Sequence, residues 1–202
     1  MKRINFYIDG YNLYRGLRDK KWERFYWLDM VKFCLAFLRT NQELVEVNYF
    51  SAIPIAQGKQ ERFDRFLSAN RLNPKFSLHL GKFLEKALTV RGEIIKTYEE
   101  KQTDVHIAVK MIRDVVLDKC DGSILISADS DLTPAIDFLR EYKPEHKIFV
   151  YFPPKRFSYD LKQRADAILH LQNYIHQFEN SLLPEQITLS NGYVLTRPVT
   201  WK

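Results

Sequence analysis

SILISADSDLTPAIDFLRE, residues 123–141, decides the fold. Ser123–Ser127 is an apolar run too short for a helix and rich in the β-branched residues of a strand. It stops at Ala128-Asp129. Leu132, Ile136 and Leu139 then recur at helical spacing, with Pro134 in the first turn, where its missing N–H costs little. A buried strand, a turn bearing acids and a helix make one unit of an α/β fold. The same unit recurs outward along the chain. Ile4–Ile8 ends at Asp9-Gly10, Val45–Ile53 at Pro54, Phe76–Leu80 at Gly81, and Lys147–Phe152 at Pro153-Pro154. Between them lie helical patterns: Leu28, Val31, Leu35 and Leu38; then Phe63, Phe66 and Leu67. Val105, Ala108, Val109, Ile112, Val116 and Leu117 predict the buried stripe of a longer helix. Strand alternating with helix predicts a central, mainly parallel sheet. SILIS and IFVYF read as strands covered on both faces.

Two segments depart from this rhythm. Residues 83–101 predict a turn at Gly92 between short strands, an excursion from the sheet. From about Gln177 no helical period survives, and Asn191-Gly192 between ITL and YVL is a hairpin signal. The expected organisation is a main domain over 1–176 and a short C-terminal appendage over 177–202.

Composition narrows the class. In 202 residues, 46% are hydrophobic and 28% charged, which argues against disorder. No apolar run approaches the ~20 residues of a bilayer span, and MKRINFYIDG has no apolar signal-peptide region. Two cysteines, Cys34 and Cys120, predict no disulfide framework, so a reducing, cytoplasmic setting is expected. The net charge of +6 is uneven. Residues 15–24 carry Arg15, Arg18, Lys20, Lys21 and Arg24 against two acids, and 147–164 carry Lys147, Lys155, Arg156, Lys162 and Arg164 against one. Residues 104–145 hold nine acids against five bases. Basic flanks around an acidic segment fit a polyanion partner with a cation between them. Random clustering on a solvated surface remains the plain alternative.

In an open α/β sheet, ligands bind at the carboxyl ends of the strands. Asp9 follows the first strand, Asp129 and Asp131 follow the fourth, and Asp104 begins the long helix. If strands one and four are neighbours, these acids meet, and such a cluster needs cations to stay ionised. Oxygen donors on turns suit Mg²⁺ or Mn²⁺. Each acid also has a local role open to it: Asp9 in a turn, Asp104 and Asp131 as helix caps, Asp129 as a loop acid. Asn12 has the spacing to orient Asp9 or cap a helix, and Ser127 and Ser130 to bond an aspartate or a phosphate. The five histidines, at 79, 106, 146, 170 and 176, show no zinc spacing.

FYIDGYNLYRGL at 6–17, KQTDVHIAV at 101–109 and ILISADSDLTPAIDFLRE at 124–141 resemble the NYN domains of the PIN-like nuclease superfamily, with the LabA-like branch nearest. KIFVYFPPKR at 147–156 and LKQRADAILHL at 161–171 continue the resemblance, which spans about residues 3–172. It implies a PIN-like three-layer α/β sandwich and a divalent-metal (Mg²⁺ or Mn²⁺) nuclease acting on RNA, with single-stranded DNA as a further substrate class. It carries over Asp9, Asn12, Asp104, Asp129 and Asp131 as catalytic residues, with the four aspartates as metal ligands; Ser127 and Ser130 are expected to touch a phosphate or to support the aspartates. Arg15, Lys20, Lys21, Lys101, Lys110, Lys155 and Arg156 are the expected nucleic-acid contacts, with Tyr11, Tyr14, Trp22 and Phe157 as stacking candidates. No membrane contact is expected; homo-oligomers are compatible. Two positions depart from the pattern: Ala128 stands where many members have glycine, and Lys110 where members often have a further aspartate. A lysine there favours one metal over two. Its ammonium is expected to point toward the acids, or else to sit on the solvent face of the helix.

Two rival classes remain. Asp129-Ser-Asp131-Leu-Thr133 fits the nucleophile motif of HAD-type phosphatases, but it lies after the fourth strand, not the first, and no adjacent acidic pair follows. A non-catalytic RNA-binding or interaction module on the same fold, with a weakened metal site, would draw on Lys110.

Overall fold

The computed structural model of the chain describes residues 1–90 and 93–201, with the backbone alone for 83–90 and 93–100. The first half runs β1 (Lys2–Asp9), α1 (Gly10–Asp19), α2 (Met30–Leu35), β2 (Gln42–Ser51), α3 (Gln57–Asn70), β3 (Phe76–Leu80) and a ribbon of β4 (Lys82–Val90) and β5 (Glu93–Lys101). Then come α4 (Thr103–Val116), β6 (Gly122–Ile126), α5 (Thr133–Tyr142), β7 (Lys147–Phe152), α6 (Tyr159–Arg164), β8 (Ala167–His170), α7 (Ile175–Asn180), β9 (Gln186–Thr188) and β10 (Val194–Thr196). No helix among the described residues is long and apolar enough to cross a membrane.

Six strands form one sheet in the order β3-β2-β1-β6-β7-β8, every pairing parallel. Alternating inward residues build two cores, one on each face. Phe6, Ile8, Val47, Tyr49, Ile124 and Ile126 pack with Leu13, Leu17, Phe33 and Phe66 from α1, α2 and α3. Tyr7, Phe50, Leu125, Ile148 and Val150 pack with Ile107, Met111, Ile136 and Leu139 from α4 and α5. The result is the three-layer sandwich expected of a PIN-like domain.

The differences from expectation have local causes. The α4 stripe is rotated: Val105 and Val109 are 62% and 57% exposed, while Ile107, Met111 and Val115 are buried. This helix is apolar on more than one face, so periodicity alone selects the wrong one. The period over Leu28–Leu38 overshoots a helix of only six residues. β8 is a short edge strand whose residues are only partly covered. β4 and β5 pair antiparallel from Lys82↔Lys101 to Val90↔Glu93, and the turn expected at Gly92 lies outside the described residues. Downstream, Phe178 joins the first core and Leu28 bridges Leu182. The β9–β10 hairpin turns at Gly192, whose φ of +81° suits glycine. Buried Arg197 fastens this end, donating to the Arg24 and Trp201 carbonyls at 2.7 and 2.6 Å and to Glu185 at 2.7 Å.

Candidate active site

The strand order reverses between β1 and β6: β2 and β3 lie to one side of β1, and β6, β7 and β8 to the other. Such a switch point opens a crevice at the carboxyl ends of the strands. Asp9 is the last residue of β1, and Ser127 follows directly on β6. The Asp9 carboxylate caps α1, its Oδ1 accepting from the Asn12 backbone N–H at 2.9 Å. Its Oδ2 accepts from Ser127 Oγ, also at 2.9 Å. Ser127 Oγ in turn accepts from the Asp129 N–H at 3.0 Å, and Asn12 Oδ1 from the Ala128 N–H at 3.3 Å. The Asn12 and Ser127 side chains thus tie α1 to the loop after β6. Gly10 permits the entry into α1, because a Cβ there would stand 2.6 Å from the Tyr49 ring and 2.7 Å from the Phe50 carbonyl.

Asp129 closes its own turn, Oδ1 accepting from the Asp131 N–H at 3.0 Å. Asp104 arrives from the opposite layer, in the first turn of α4. Gln102, in the left-handed region at φ 76°, swings the chain from β5 into that helix. Gly81 lets the ribbon base close on the same turn, since a Cβ there would lie 2.6 Å from Thr103 Oγ1. One carboxylate oxygen each from Asp9, Asp104 and Asp129 fall within 4.8 Å of one another. Burial pushes the Asp104 carboxyl above its ordinary value, and the charges of Asp129 and Asp131 push it further. Asp131 itself is exposed and stands outside the three-carboxylate group. Ser130 is exposed too, its carbonyl accepting from Thr133 Oγ1 at 2.7 Å.

This donor set fits a small hard cation. Octahedral Mg²⁺ holds oxygens at about 2.0–2.1 Å, so ligand atoms on one ion stand up to about 4.2 Å apart. One oxygen from each of the three carboxylates already lies within 4.8 Å of the others, so side-chain adjustment alone would bring them onto one ion.

The NYN domain profile matches residues 3–172. The chain belongs to the NYN domain family. That family is of nuclease type, and the acidic cluster is compatible with it. A crystal structure of a protein of unknown function, VPA0982 from Vibrio parahaemolyticus, is similar in fold at TM-score 0.57 and 21% identity, covering 83% of this chain and 91% of that one. No curated protein matches the sequence.

Among the basic residues of this NYN domain, Arg15 lies over the Tyr11 ring at 5.2 Å and Lys20 over Trp22 at 5.6 Å. Lys21 and Lys155 are exposed and sit in the left-handed region, and Lys101 ends β5. Arg156 bonds Asp19 at 2.5 Å, joining the two basic segments. Of the aromatic candidates, Tyr11 and Phe157 are exposed, whereas Trp22 packs edge-on against Phe25 and Phe178.

Lys110 corrects both expectations for it. Its ammonium turns neither to the acids nor to solvent, its side chain being only 15% exposed. It donates to Asp114 at 2.7 and 2.8 Å and to Glu46 at 2.9 Å. Asp114, fully buried, also accepts from Asn5 Nδ2 and Tyr7 Oη, each at 3.0 Å. Ser77 Oγ donates to Glu46 at 2.5 Å, and Asn48 Oδ1 meets His79 Nε2 at 2.9 Å. Lys110 is six residues past Asp104, an angular offset that takes it to another face of the helix. It therefore leaves the set of expected nucleic-acid contacts. Sequence reasoning missed this network, though polar Asn5, Glu46 and Asn48 interrupt otherwise apolar strands and were its visible signal.

Proposed function

We propose that this NYN domain is a divalent-metal-dependent nuclease that hydrolyses phosphodiester bonds in RNA. What carries the reading is the convergence of Asp9, Asp104 and Asp129 at the switch point. These three would hold Mg²⁺ or Mn²⁺, with Asp131 reaching it through water. A bound ion of this kind neutralises charge on the phosphate and lowers the pKa of water. The residues of the chain do the positioning. Ser127 and the Asn12 N–H hold both oxygens of Asp9, and the turn at 129–131 holds Asp129. Donors fixed in this way need little reorganisation when a cation arrives. Asp104 keeps a stronger hold on its proton than an ordinary carboxyl, so cation and proton compete there and affinity for the ion should rise with pH. Arg15, Lys20, Lys21, Lys101, Lys155 and Arg156 are the proposed backbone contacts, on a chain of net charge +6. The reading as a non-catalytic module loses the support of Lys110, whose ammonium lies inside the fold.

The test is cleavage of labelled single-stranded RNA by the purified chain with Mn²⁺, Mg²⁺ or chelator, beside a salt-dependent binding assay. Products that appear with the ion and vanish with chelator are expected. Salt-dependent binding without products under any ion would assign the fold to RNA binding alone.

A further inference from the structure

A cavity of about 720 Å³ lies between α1, the turn Glu23–Tyr26, α3 and the last turn Val199–Trp201. That volume falls within the roughly 300–1,000 Å³ of small-molecule sites. Its walls are aromatic, with Tyr11, Tyr14, Tyr26, Phe63 and Trp201 among them. Tyr14 and Tyr26 stand 4.9 Å apart between ring centroids, and Trp201 meets Tyr26 edge-on at 5.6 Å. Among the described residues, Arg18, Lys59 and Arg62 bring three cations to the lining, against one acid, Glu23.

Two observations point to a nucleotide as the ligand of this hollow. The first is continuity. Gly10 and Tyr11 line the cavity and follow Asp9 directly, while Ser51, at the end of β2, lines it beside the strand that carries Asp9. The cavity and the carboxylates therefore share one edge of the sheet. The second is chemical match. Aromatic walls accept the π-face of a base, arginine and lysine take its phosphate, and a carboxylate such as Glu23 accepts an N–H from a base edge. An uncharged apolar ligand calls for none of those cations. Thr200 and Trp201 come from beyond the residues matched by the NYN domain, so the wall they form belongs to this chain's own C-terminal segment. Buried Arg197 holds that segment in place through the Trp201 and Arg24 carbonyls.

We propose that the cavity binds one nucleobase of an RNA strand, with Arg18, Lys59 and Arg62 on its phosphate, and so sets which phosphodiester lies at Asp9, Asp104 and Asp129. The proposal rests on the nuclease reading for its role in cleavage, but not for binding.

The experiment titrates AMP and UMP into the full chain in chelator by calorimetry, and repeats it with Trp201→Ala and Arg62→Glu. Melting curves check that both variants fold, and the rim substitution Arg62→Glu serves if Trp201→Ala does not. At least one mononucleotide should bind without metal. Trp201→Ala should weaken it about tenfold, within the range of base–aromatic stacking. Arg62→Glu should weaken it and flatten its salt dependence. No mononucleotide binding, or binding that neither substitution moves, overturns the proposal even if the chain cleaves RNA. An apolar dye that fills the cavity and is not displaced by AMP overturns it too, in favour of an uncharged ligand. Mononucleotide binding by a chain that cleaves no RNA removes the nuclease reading and leaves the site standing.

Discussion

Asp104, in the first turn of α4, and Glu46, on β2 against the middle of the same helix, are both half-buried acids, and their proton affinities move in opposite directions. Burial alone pushes either carboxyl up. Around Asp104 the carboxylates of Asp129 and Asp131 add to the effect of burial, and its pKa stays raised. Around Glu46 the Ser77 hydroxyl and the Lys110 ammonium outweigh burial, and its pKa falls. Lys110 shows the counterpart: burial works against its charge, yet Asp114 and Glu46 hold it above its ordinary value. One end of α4 therefore gathers like charge at a crevice, while its middle balances charge inside the fold. Balanced charge is what a structural network needs. Gathered carboxylates repel one another, and a bound cation would offset that cost.

The largest expected effect comes from breaking the gathered end. Asp129→Asn keeps the size of the side chain and an acceptor for the Asp131 N–H, and removes one anionic donor. RNA cleavage with Mn²⁺ should fall by a factor of about a hundred or more, the several kcal/mol a polarising ion supplies. Calorimetric Mn²⁺ affinity should fall with it while the melting temperature holds or rises. Unchanged cleavage and unchanged Mn²⁺ binding would take Asp129 out of the ion's coordination.

Breaking the balanced region should act on stability instead. Lys110→Met leaves Asp114 buried without its ammonium, and removing one partner of a buried pair costs about 3–5 kcal/mol. Because Lys110 retains 15% exposure, about 2–4 kcal/mol is the expected loss. At about 2–4 °C per kcal/mol for a chain of this size, the melting temperature drops measurably. Lys110→Asp should lose at least as much, and Mn²⁺ stoichiometry should not rise. A second bound Mn²⁺ in that variant would reverse the separation drawn between the two regions.

How much of this could be read from residues alone follows from the range of the interactions. Asp9, Asp104 and Asp129 were legible because strand ends and helix starts are local signals, and one rule of sheet topology brings such ends together. Phe76–Leu80 and Lys147–Phe152 were legible to the residue, being apolar runs bounded by Gly81 and by Pro153-Pro154. Half of the Lys110 contacts had a local signal, since Asp114 lies four residues on along α4; the other half had none, because Glu46 is 64 residues away and only the packing of α4 over β2 brings it in. The buried face of α4 failed for a related reason: Val105 and Val109 offer the same periodicity as Ile107 and Met111, and only tertiary contact chooses. Trp201 joins the aromatic wall through Arg197, a contact with no local signature.

A third position sharpens the contrast with a base. His146 lies buried in the same layer as the Lys110 network, Nε2 against Ser123 Oγ at 2.9 Å. Burial, with help from Lys143 and Arg140, lowers its pKa to about 4. The folded imidazole thus stays neutral where the unfolded one takes a proton near pH 6.5. Stability should be intact above the unfolded value and decline as pH falls toward 4, by about 3 kcal/mol at most. His146→Gln keeps a polar partner for Ser123 without a titrating proton, and its stability should decline less between pH 6.5 and 4. Parallel curves for the two proteins would mean that other groups set the acid limb.

The smallest effect is at Asp104, where sign rather than size decides. Its folded pKa lies above the unfolded one, so the fold binds its proton more tightly. Stability from this group is therefore greatest at low pH and is lost as pH rises through the carboxylate range. In chelator at pH 7, Asp104→Asn removes that burden and should be more stable than the parent, by under about 1 kcal/mol for a half-exposed group. Below the unfolded pKa the two should converge. Saturating Mn²⁺ should invert the order. An ion that binds only the folded state adds RT ln(1 + [L]/Kd), and the parent, with its full set of carboxylates, gains more than the variant. The crossing of the two melting temperatures between chelator and Mn²⁺ is the measurement. A variant already less stable in chelator would mean that Asp104 has a structural partner after all. A variant that stays more stable in Mn²⁺ would mean that the gathered carboxylates do not bind the ion together.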